Sequence, residues 1–153
     1  MLTLELKIPP VPLMLAFAIL MWFLSAIFPD IDIPNVIQKS IALIVVGIAL
    51  FFAFAGVYSF RKAKTTVDPR KPNTTSSLVT SGIYRWTRNP MYVGFLFVLL
   101  AWGIYLSNLW SLVLSIGYVF YMNRFQIQPE EKVLEKLFGK EYLRYKQQAR
   151  RWL

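Results

Sequence analysis

Long uncharged apolar runs, separated by polar segments, dominate this chain. Residues 11–28 and 40–60 carry no charge, and each run is long enough to cross the hydrocarbon core of a membrane as a helix. Two shorter runs, residues 91–106 and 109–122, are separated only by a Ser-Asn pair. These reach membrane length by extending at both ends, or they pair as a tight helical hairpin. The pattern predicts an all-α integral membrane protein with about four transmembrane helices.

The polar segments set the limits of these elements within a single membrane domain, residues 1–153. The predicted spans are residues 11–28, 38–60, 90–106 and 108–124, with a polar loop at 61–89. A C-terminal amphipathic helical segment is expected at residues 129–151, with Pro129 in its first turn and Gly139 ending or bending the helix. Its apolar positions recur every three or four residues, at Leu134, Phe138, Tyr142, Tyr145 and Ala149.

Composition and charge agree with this architecture. Hydrophobic residues make up 56% of the chain, and the mean hydropathy is +0.47. The net charge is +9, and the basic residues gather in the 61–89 loop and after the fourth run. The loop after the first run has a single basic residue, Lys39, and two acidic residues, Asp30 and Asp32. By the positive-inside rule, both termini, the long loop and the tail are expected to be cytoplasmic. Anionic lipid explains the positive charge, so no nucleic-acid partner is expected.

The chain has no cysteine and no histidine. Disulfides, thiolate metal sites and a cysteine nucleophile are thereby excluded within it. The commonest zinc ligand is missing as well, so no metal site is expected. Chemistry at neutral pH would have to use carboxylates, Arg, Lys, Tyr, Asn, backbone groups or a bound cofactor.

The stretch SGIYRWTRNPMYVGF, residues 81–95, places polar chemistry at the start of the third run. Asn89 and Pro90 suit the N-cap and first position of a helix. The open N–H groups there, together with Arg85 and Arg88, would attract a carboxylate or phosphate. Gly94 would let a ligand or another backbone approach closely. Flat aromatic faces are available for stacking at Tyr84, Trp86 and Tyr92. The alternative is that these residues are ordinary interfacial anchors.

A second polar stretch begins just past the fourth run with the adjacent acids Glu130 and Glu131. A carboxylate there can accept hydrogen bonds from ribose hydroxyls or an amine. Stabilisation of the first helical turn explains the same residues without any ligand. Arg124, at the end of the fourth run, either lines a pocket near Glu130 or is a positive-inside residue. Asp68, in VDPRKP, is expected in a turn.

Taken together, GIYRWTRNPMYVGF and PEEKVLEKLFGKEYLRYKQQARRW resemble the isoprenylcysteine carboxyl methyltransferase and phospholipid methyltransferase superfamily. The resemblance covers residues 81–152. It implies a helical membrane enzyme with a cytoplasmic S-adenosylmethionine pocket that the C-terminal segment closes. The implied cofactor-binding residues are Tyr84, Arg88, Asn89, Pro90, Tyr92, Gly94, Glu130 and Glu131; the implied catalytic residues are Arg124 and Glu131. Prenylcysteine enzymes carry His where this chain has Asn89, so a prenylcysteine acceptor does not follow from the resemblance.

The resulting hypothesis is methyl transfer from S-adenosylmethionine to a membrane-embedded lipid or lipidated carboxylate, amine or thiol, at the cytoplasmic face of a prokaryotic inner membrane. An in-line displacement needs alignment more than acid/base groups, which suits a chain without His or Cys. Two alternatives stay open. One is an NADPH-dependent reductase of sterol-like lipids, with Lys71, Arg85 and Arg88 around the extra phosphate. The other is a non-catalytic membrane scaffold. The oligomeric state is not predicted.

Overall fold

The structure, a computed structural model, describes residues 5–63 and 77–153. Within these residues lie six α-helices: α1 (Pro10–Ile27), α2 (Asn35–Lys62), α3 (Pro90–Tyr105), α4 (Leu109–Tyr121), α5 (Gln128–Phe138) and α6 (Lys140–Gln148). A 3-10 turn, Gly82–Arg85, precedes α3, and a π-helical segment, Met122–Ile127, joins α4 to α5. The described ranges contain one isolated bridge and no strand, so the predicted all-α class is confirmed for them. The predictions for Asp68 and Lys71 fall outside the described residues.

Two helices, α1 and α2, are long and apolar enough to cross a membrane. Large apolar side chains cover their outer faces; Ile27, Leu43 and Phe54, for example, are 73%, 73% and 68% exposed. A contiguous apolar surface of this kind suits contact with lipid better than contact with water. The third helix is apolar but shorter. The structure thus provides two candidate spans, and the four-crossing topology stays a prediction.

Close backbone contact joins α2 to α3. A Cβ atom added at Gly94 would lie 3.0 Å from the Ala49 carbonyl oxygen and 3.2 Å from the Ala53 nitrogen. Gly56 faces the start of α3 in the same way, with Pro90 and Met91 against it. Small residues at such an interface let two helix backbones approach closely. The close approach predicted at Gly94 is therefore made by the backbone of α2.

The turn between α3 and α4 is tied to the end of α1 by a buried amide. The Asn108 side chain donates from Nδ2 to the carbonyls of Phe28 and Pro29, at 3.1 and 3.2 Å. Its Oδ1 accepts from the Ser111 N–H at 3.1 Å and so caps α4. Ser111 in turn donates to the Met21 carbonyl at 2.8 Å. These bonds hold α1 against the α3–α4 pair at the end of the bundle away from the start of α3.

The fourth apolar run continues without interruption into the tail. Residues of α4, the π-helical segment and α5 form one unbroken helical path, and Pro129 lies in the first turn of α5, as predicted. Proline has no N–H to donate to the carbonyl four residues earlier, that of Phe125. The Leu6 N–H donates to this carbonyl instead, at 3.0 Å. The widened π-helical turn and the N-terminal segment together accommodate the proline.

Gly139 separates α5 from α6, as predicted. Its φ of +50° is left-handed backbone, which glycine adopts without a steric penalty. The break turns α6 back toward the start of α3, where Tyr142 and Tyr145 are buried in an apolar cluster with Tyr84. The tail thereby reaches the segment before α3, more than fifty residues earlier in the chain.

We expect Gly94→Leu to lower stability by about 1–3 kcal/mol, because the new side chain would overlap the backbone of α2. Gly47→Leu is the matched control on α2, where nothing lies within 4 Å of an added Cβ. Thermal unfolding in detergent would measure both variants. Equal melting temperatures for the two would show that Gly94 is not a packing position.

Candidate functional site

Two adjacent carboxylates at the start of α5 have different surroundings. Glu131 is buried and lies between the guanidinium groups of Arg88 and Arg151. Arg88 approaches its Oε1 at 2.8 Å, and Arg151 contacts Oε1 at 3.1 Å and Oε2 at 2.7 Å. Paired, charge-assisted bonds of this kind are the strong hydrogen bonds of proteins. Glu131 therefore joins the start of α3, the start of α5 and the C-terminal residues.

Arg88 is used almost entirely inside the protein. Its side chain is 10% exposed, and besides Glu131 it donates to the backbone carbonyls of Lys146 and Ala149. These two carbonyls lie at the end of α6, where a cation is favoured. The Nε–H of the guanidinium makes no such bond: it is buried and has no hydrogen-bond partner in the described part of the chain.

A C-terminal strap, which we define as residues 149–152, runs alongside residues 86–89. The Arg88 N–H donates to the Arg150 carbonyl at 2.8 Å, and the Arg150 N–H donates to the Trp86 carbonyl at 3.3 Å. The Asn89 side chain donates from Nδ2 to the Arg151 carbonyl at 2.9 Å. Asn89 occupies the N-cap position of α3, but its side chain does not cap the helix. Its amide holds the strap instead.

Glu130 faces a different environment from its neighbour. The Tyr92 hydroxyl donates to its Oε2 at 3.1 Å, and its other oxygen has no partner among the described residues. Desolvation raises the pKa of Glu130 to about 7, and the charge of Glu131 acts in the same direction. The hydrogen bond from Tyr92 offsets part of the rise. Near neutral pH this carboxyl can therefore both accept and release a proton.

The pKa of Glu131 moves the opposite way. Burial alone would raise it, but the hydrogen bonds and charges of Arg151 and Arg88 outweigh burial and hold the pKa below its ordinary value. The same bond to Glu131 raises the pKa of Arg151. Glu131 is thus ionised at neutral pH, and because both of its oxygens accept hydrogen bonds, it is a poor proton acceptor there. This makes the predicted catalytic role of Glu131 less suitable than one for Glu130.

Three buried tyrosines, Tyr84, Tyr142 and Tyr145, pack between α6 and the segment before α3, and we call them the tyrosine wall. Burial raises the pKa of Tyr84, Tyr142 and Tyr145, so all three stay neutral at physiological pH. The Tyr145 hydroxyl donates to the Tyr84 carbonyl at 2.8 Å. Tyr84 also packs edge-on against Phe60 at the end of α2, with ring centroids 5.3 Å apart. The wall therefore connects α2, the 3-10 turn and α6.

The structure brings some of the predicted site residues together and separates others. Arg88, Asn89, Tyr92, Glu130 and Glu131 meet around the start of α5 through the bonds described above. Tyr84 lies in the adjoining wall, close enough for the charge of Glu130 to raise its pKa further. Pro90 and Gly94 contact α2, so they position the first turn of α3.

Arg85 and Arg124 lie apart from this group. The sequence placed Arg85 and Arg88 in one anion site, but Arg88 points into the protein while Arg85 is exposed on the 3-10 turn. Arg124 is in the π-helical segment at the end of the fourth run, as expected. It pairs with Glu5 at 3.2 Å, with its side chain 46% exposed, and lies against the Phe125 ring. Its described contacts include none of the site residues.

Most of these residues lie in a stretch of the chain that matches a known protein family. Residues 37–141 match the model of a family described as phospholipid methyltransferase. The chain belongs to the phospholipid methyltransferase family. The matched range begins two residues inside α2 and continues through α5, and it includes Arg88, Tyr92, Glu130 and Glu131.

Individual relatives agree with the family. Protein-S-isoprenylcysteine O-methyltransferase of Saccharomyces cerevisiae is 30% identical over 80% of this chain, and the human protein of that name is 36% identical over 49% of it. An uncharacterized protein of Haemophilus influenzae is 48% identical over 41% of the chain. The matches span all of the Haemophilus protein, 53% of the yeast enzyme and 26% of the human one. No solved structure matches the chain.

Two polar residues of this candidate site could not be found from the sequence motifs. Arg151 completes an ion cluster with Arg88 and Glu131, and it lies outside the matched range. Thr87 is fully buried beneath the strap. The Thr87 hydroxyl accepts from the Asn89 N–H at 3.1 Å and donates to the Arg151 carbonyl at 3.3 Å. The paired arginines in ARRW, so close to the motif tyrosines, were the available signal for Arg151. Within the described residues no group of three or more His, Cys, Asp or Glu is placed to hold a metal ion.

The adjacent glutamates offer a direct test of the ion cluster. Glu131→Gln should lower the free energy of unfolding by about 3–5 kcal/mol, because it leaves Arg88 buried without its anion. Glu130→Gln, the matched control one residue away, should change it by about 1 kcal/mol or less, since an amide oxygen still accepts from Tyr92. Denaturation in mixed micelles near pH 7 would measure both. Equal losses would contradict the assignment of Glu131 as the buried link.

Proposed function

We propose that this protein transfers a methyl group from S-adenosylmethionine to a lipid or lipidated acceptor in the membrane. The observation that carries the proposal is the geometry of the adjacent glutamates in a chain of this family: one is fixed between two arginines, and the other has an open oxygen and a pKa of about 7. Four crossings in a single domain, residues 1–153, would place this site at the cytoplasmic face of a prokaryotic inner membrane. The acceptor would then enter from the lipid.

The described side chains fit the polar groups of S-adenosylmethionine. The open oxygen of Glu130 can accept from ribose hydroxyls or an ammonium group. The buried Nε–H of Arg88, which has no partner, can donate to a carboxylate. Neutral tyrosines provide apolar faces suited to a sulfonium. We assign cofactor binding to this group, with Asn89 and Pro90 fixing the start of α3 and Tyr84 the adjoining wall.

S-adenosylmethionine, when bound, supplies an electrophilic methyl group on sulfur. The chain's part is to hold donor and acceptor in line, because such a displacement depends mainly on alignment. The ion cluster of Arg88, Glu131 and Arg151 holds the strap against the start of α3 and so fixes one side of the proposed site. Tyr92 orients Glu130, which takes the proton from an amine or thiol acceptor. A carboxylate acceptor is already ionised and needs no such base. Arg124, which pairs with Glu5, takes no part in this transfer.

Cofactor binding is the first test. We expect saturable binding of S-adenosylhomocysteine, and no comparable binding of NADPH, to the purified protein in nanodiscs. Glu130→Gln should weaken that binding about tenfold, the loss expected for one charge-assisted hydrogen bond. Glu135→Gln changes an exposed glutamate on the same helix; it is the control and should bind normally. Binding of NADPH alone would redirect the assignment to reduction. Binding of neither ligand to folded protein would favour a membrane scaffold.

The pH dependence of the rate should identify the class of acceptor. With an amine or thiol acceptor, the rate should rise with pH through about 7, as Glu130 ionises and becomes able to take the proton. Glu130→Gln should remove this rise and slow transfer by about 10²–10⁴-fold. With a carboxylate acceptor, the rise should be absent from the parent as well. Methyl transfer would be followed with labelled cofactor between pH 5.5 and 9. Identical profiles of parent and variant with an amine acceptor would exclude Glu130 as the base.

A further inference from the structure

A polar cavity lies on the outer side of the tyrosine wall, where the 3-10 turn meets the end of α6. Its volume is about 330 Å³, and it is lined by Thr80, Ser81, Arg85, Tyr145, Gln148 and Ala149. A volume of this size lies at the lower end of the range typical of small-ligand sites. The phosphate and glycerol part of a lipid headgroup is a ligand of suitable size. The bonds of Glu130 and Glu131 involve none of the lining side chains, and the cavity shares only Tyr145 of the tyrosine wall and Ala149 of the strap with the proposed transfer site.

The lining carries a positive charge that no acid balances. Arg85 is exposed and makes no ion pair or hydrogen bond with its side chain in the described part of the protein. The side chains of Thr80, Ser81 and Gln148 are likewise without described partners, and each can donate to an anion. A guanidinium with neighbouring hydroxyl and amide donors is a typical arrangement for binding a phosphate ester.

The residues around this cavity are of the kinds found at a membrane interface. Trp86, the next residue after Arg85, is 70% exposed, as expected for an aromatic residue at a membrane interface. The end of α2, with the exposed cations Arg61 and Lys62, packs against the 3-10 turn. Tyr145 forms a fixed wall, because its hydroxyl is already bonded to the Tyr84 carbonyl. A lipid whose chains lie along the apolar surface of α2 could therefore extend its phosphate into the cavity.

We propose that this cavity binds the phosphate of an anionic phospholipid, with Arg85 as its principal cation and Ser81 and Gln148 as additional donors. The bound lipid would hold the 3-10 turn and the end of α6 together at the membrane surface. This assignment does not depend on which molecule receives the methyl group, since Arg85, Ser81 and Gln148 are not among the residues proposed for transfer.

The test compares arginines inside and outside the cavity. Binding of short-chain phosphatidylglycerol and phosphatidylcholine to the full chain in neutral-detergent micelles would be followed by native mass spectrometry. We expect phosphatidylglycerol to bind more tightly, and Arg85→Gln to weaken it about fivefold, the effect of one cation near a membrane surface. Arg85→Lys should retain part of the affinity. Arg144→Gln removes an exposed arginine of α6 that does not line the cavity, and it should leave binding unchanged.

Three results would overturn the proposal. Equal weakening by Arg85→Gln and Arg144→Gln would show diffuse attraction to a basic surface. Competition by glycerol phosphate at the affinity of the lipid would assign the cavity to a soluble phosphate ester. Loss of S-adenosylhomocysteine binding in Arg85→Gln, with lipid binding intact, would assign it to the cofactor. Circular dichroism of each variant establishes that it is folded. If S-adenosylhomocysteine binds to no form of the protein while the lipid contrast holds, the proposed function fails and this inference stands.

Discussion

The structure depends on one buried anion held between two cations. Glu131 is contacted by Arg88 from the start of α3 and by Arg151 from the strap, so three segments that are distant in sequence converge on a single carboxylate. Taking such charges out of water costs several kcal/mol each, and mutual attraction with good geometry offsets that cost. The cluster is therefore weak evidence of high stability. It does specify where the tail lies, because any other path of the strap would remove Arg151 from the buried carboxylate of Glu131.

The same cluster explains why neighbouring glutamates differ. Consecutive residues of a helix point about 100° apart, so Glu130 and Glu131 face different surroundings although they share a backbone. One carboxylate meets two guanidinium groups, and the other meets a phenol hydroxyl in a desolvated position beside a fixed negative charge. Two identical side chains are thus given opposite electrostatic properties by their neighbours. A site that must both hold its shape and exchange a proton benefits from this division.

The sequence supports the helices well and the site only in part. Uncharged runs locate α1 to α4 because the period and length of such runs depend on local composition. Glycine at position 139 predicts the break after α5 for an equally local reason. The unbroken passage through Pro129 could not be predicted, because it needs the Leu6 N–H at the Phe125 carbonyl, more than a hundred residues away. Likewise, the pairing of Arg151 with Glu131 and the contact of Gly94 with α2 depend on how segments meet. No local pattern in the sequence shows which distant segments will be in contact.

The long separation of the ion-cluster residues along the chain has a consequence for biogenesis. Arg88 is translated 43 residues before Glu131, and Glu131 is translated 20 residues before Arg151. Helices α1 to α4, together with Arg88 just before α3, are therefore synthesised before the carboxylate that pairs with this arginine. The cluster of Arg88, Glu131 and Arg151 can consequently close only after Arg151 has been synthesised. The apolar helices are synthesised first, and the residues that complete the polar cluster are synthesised afterwards.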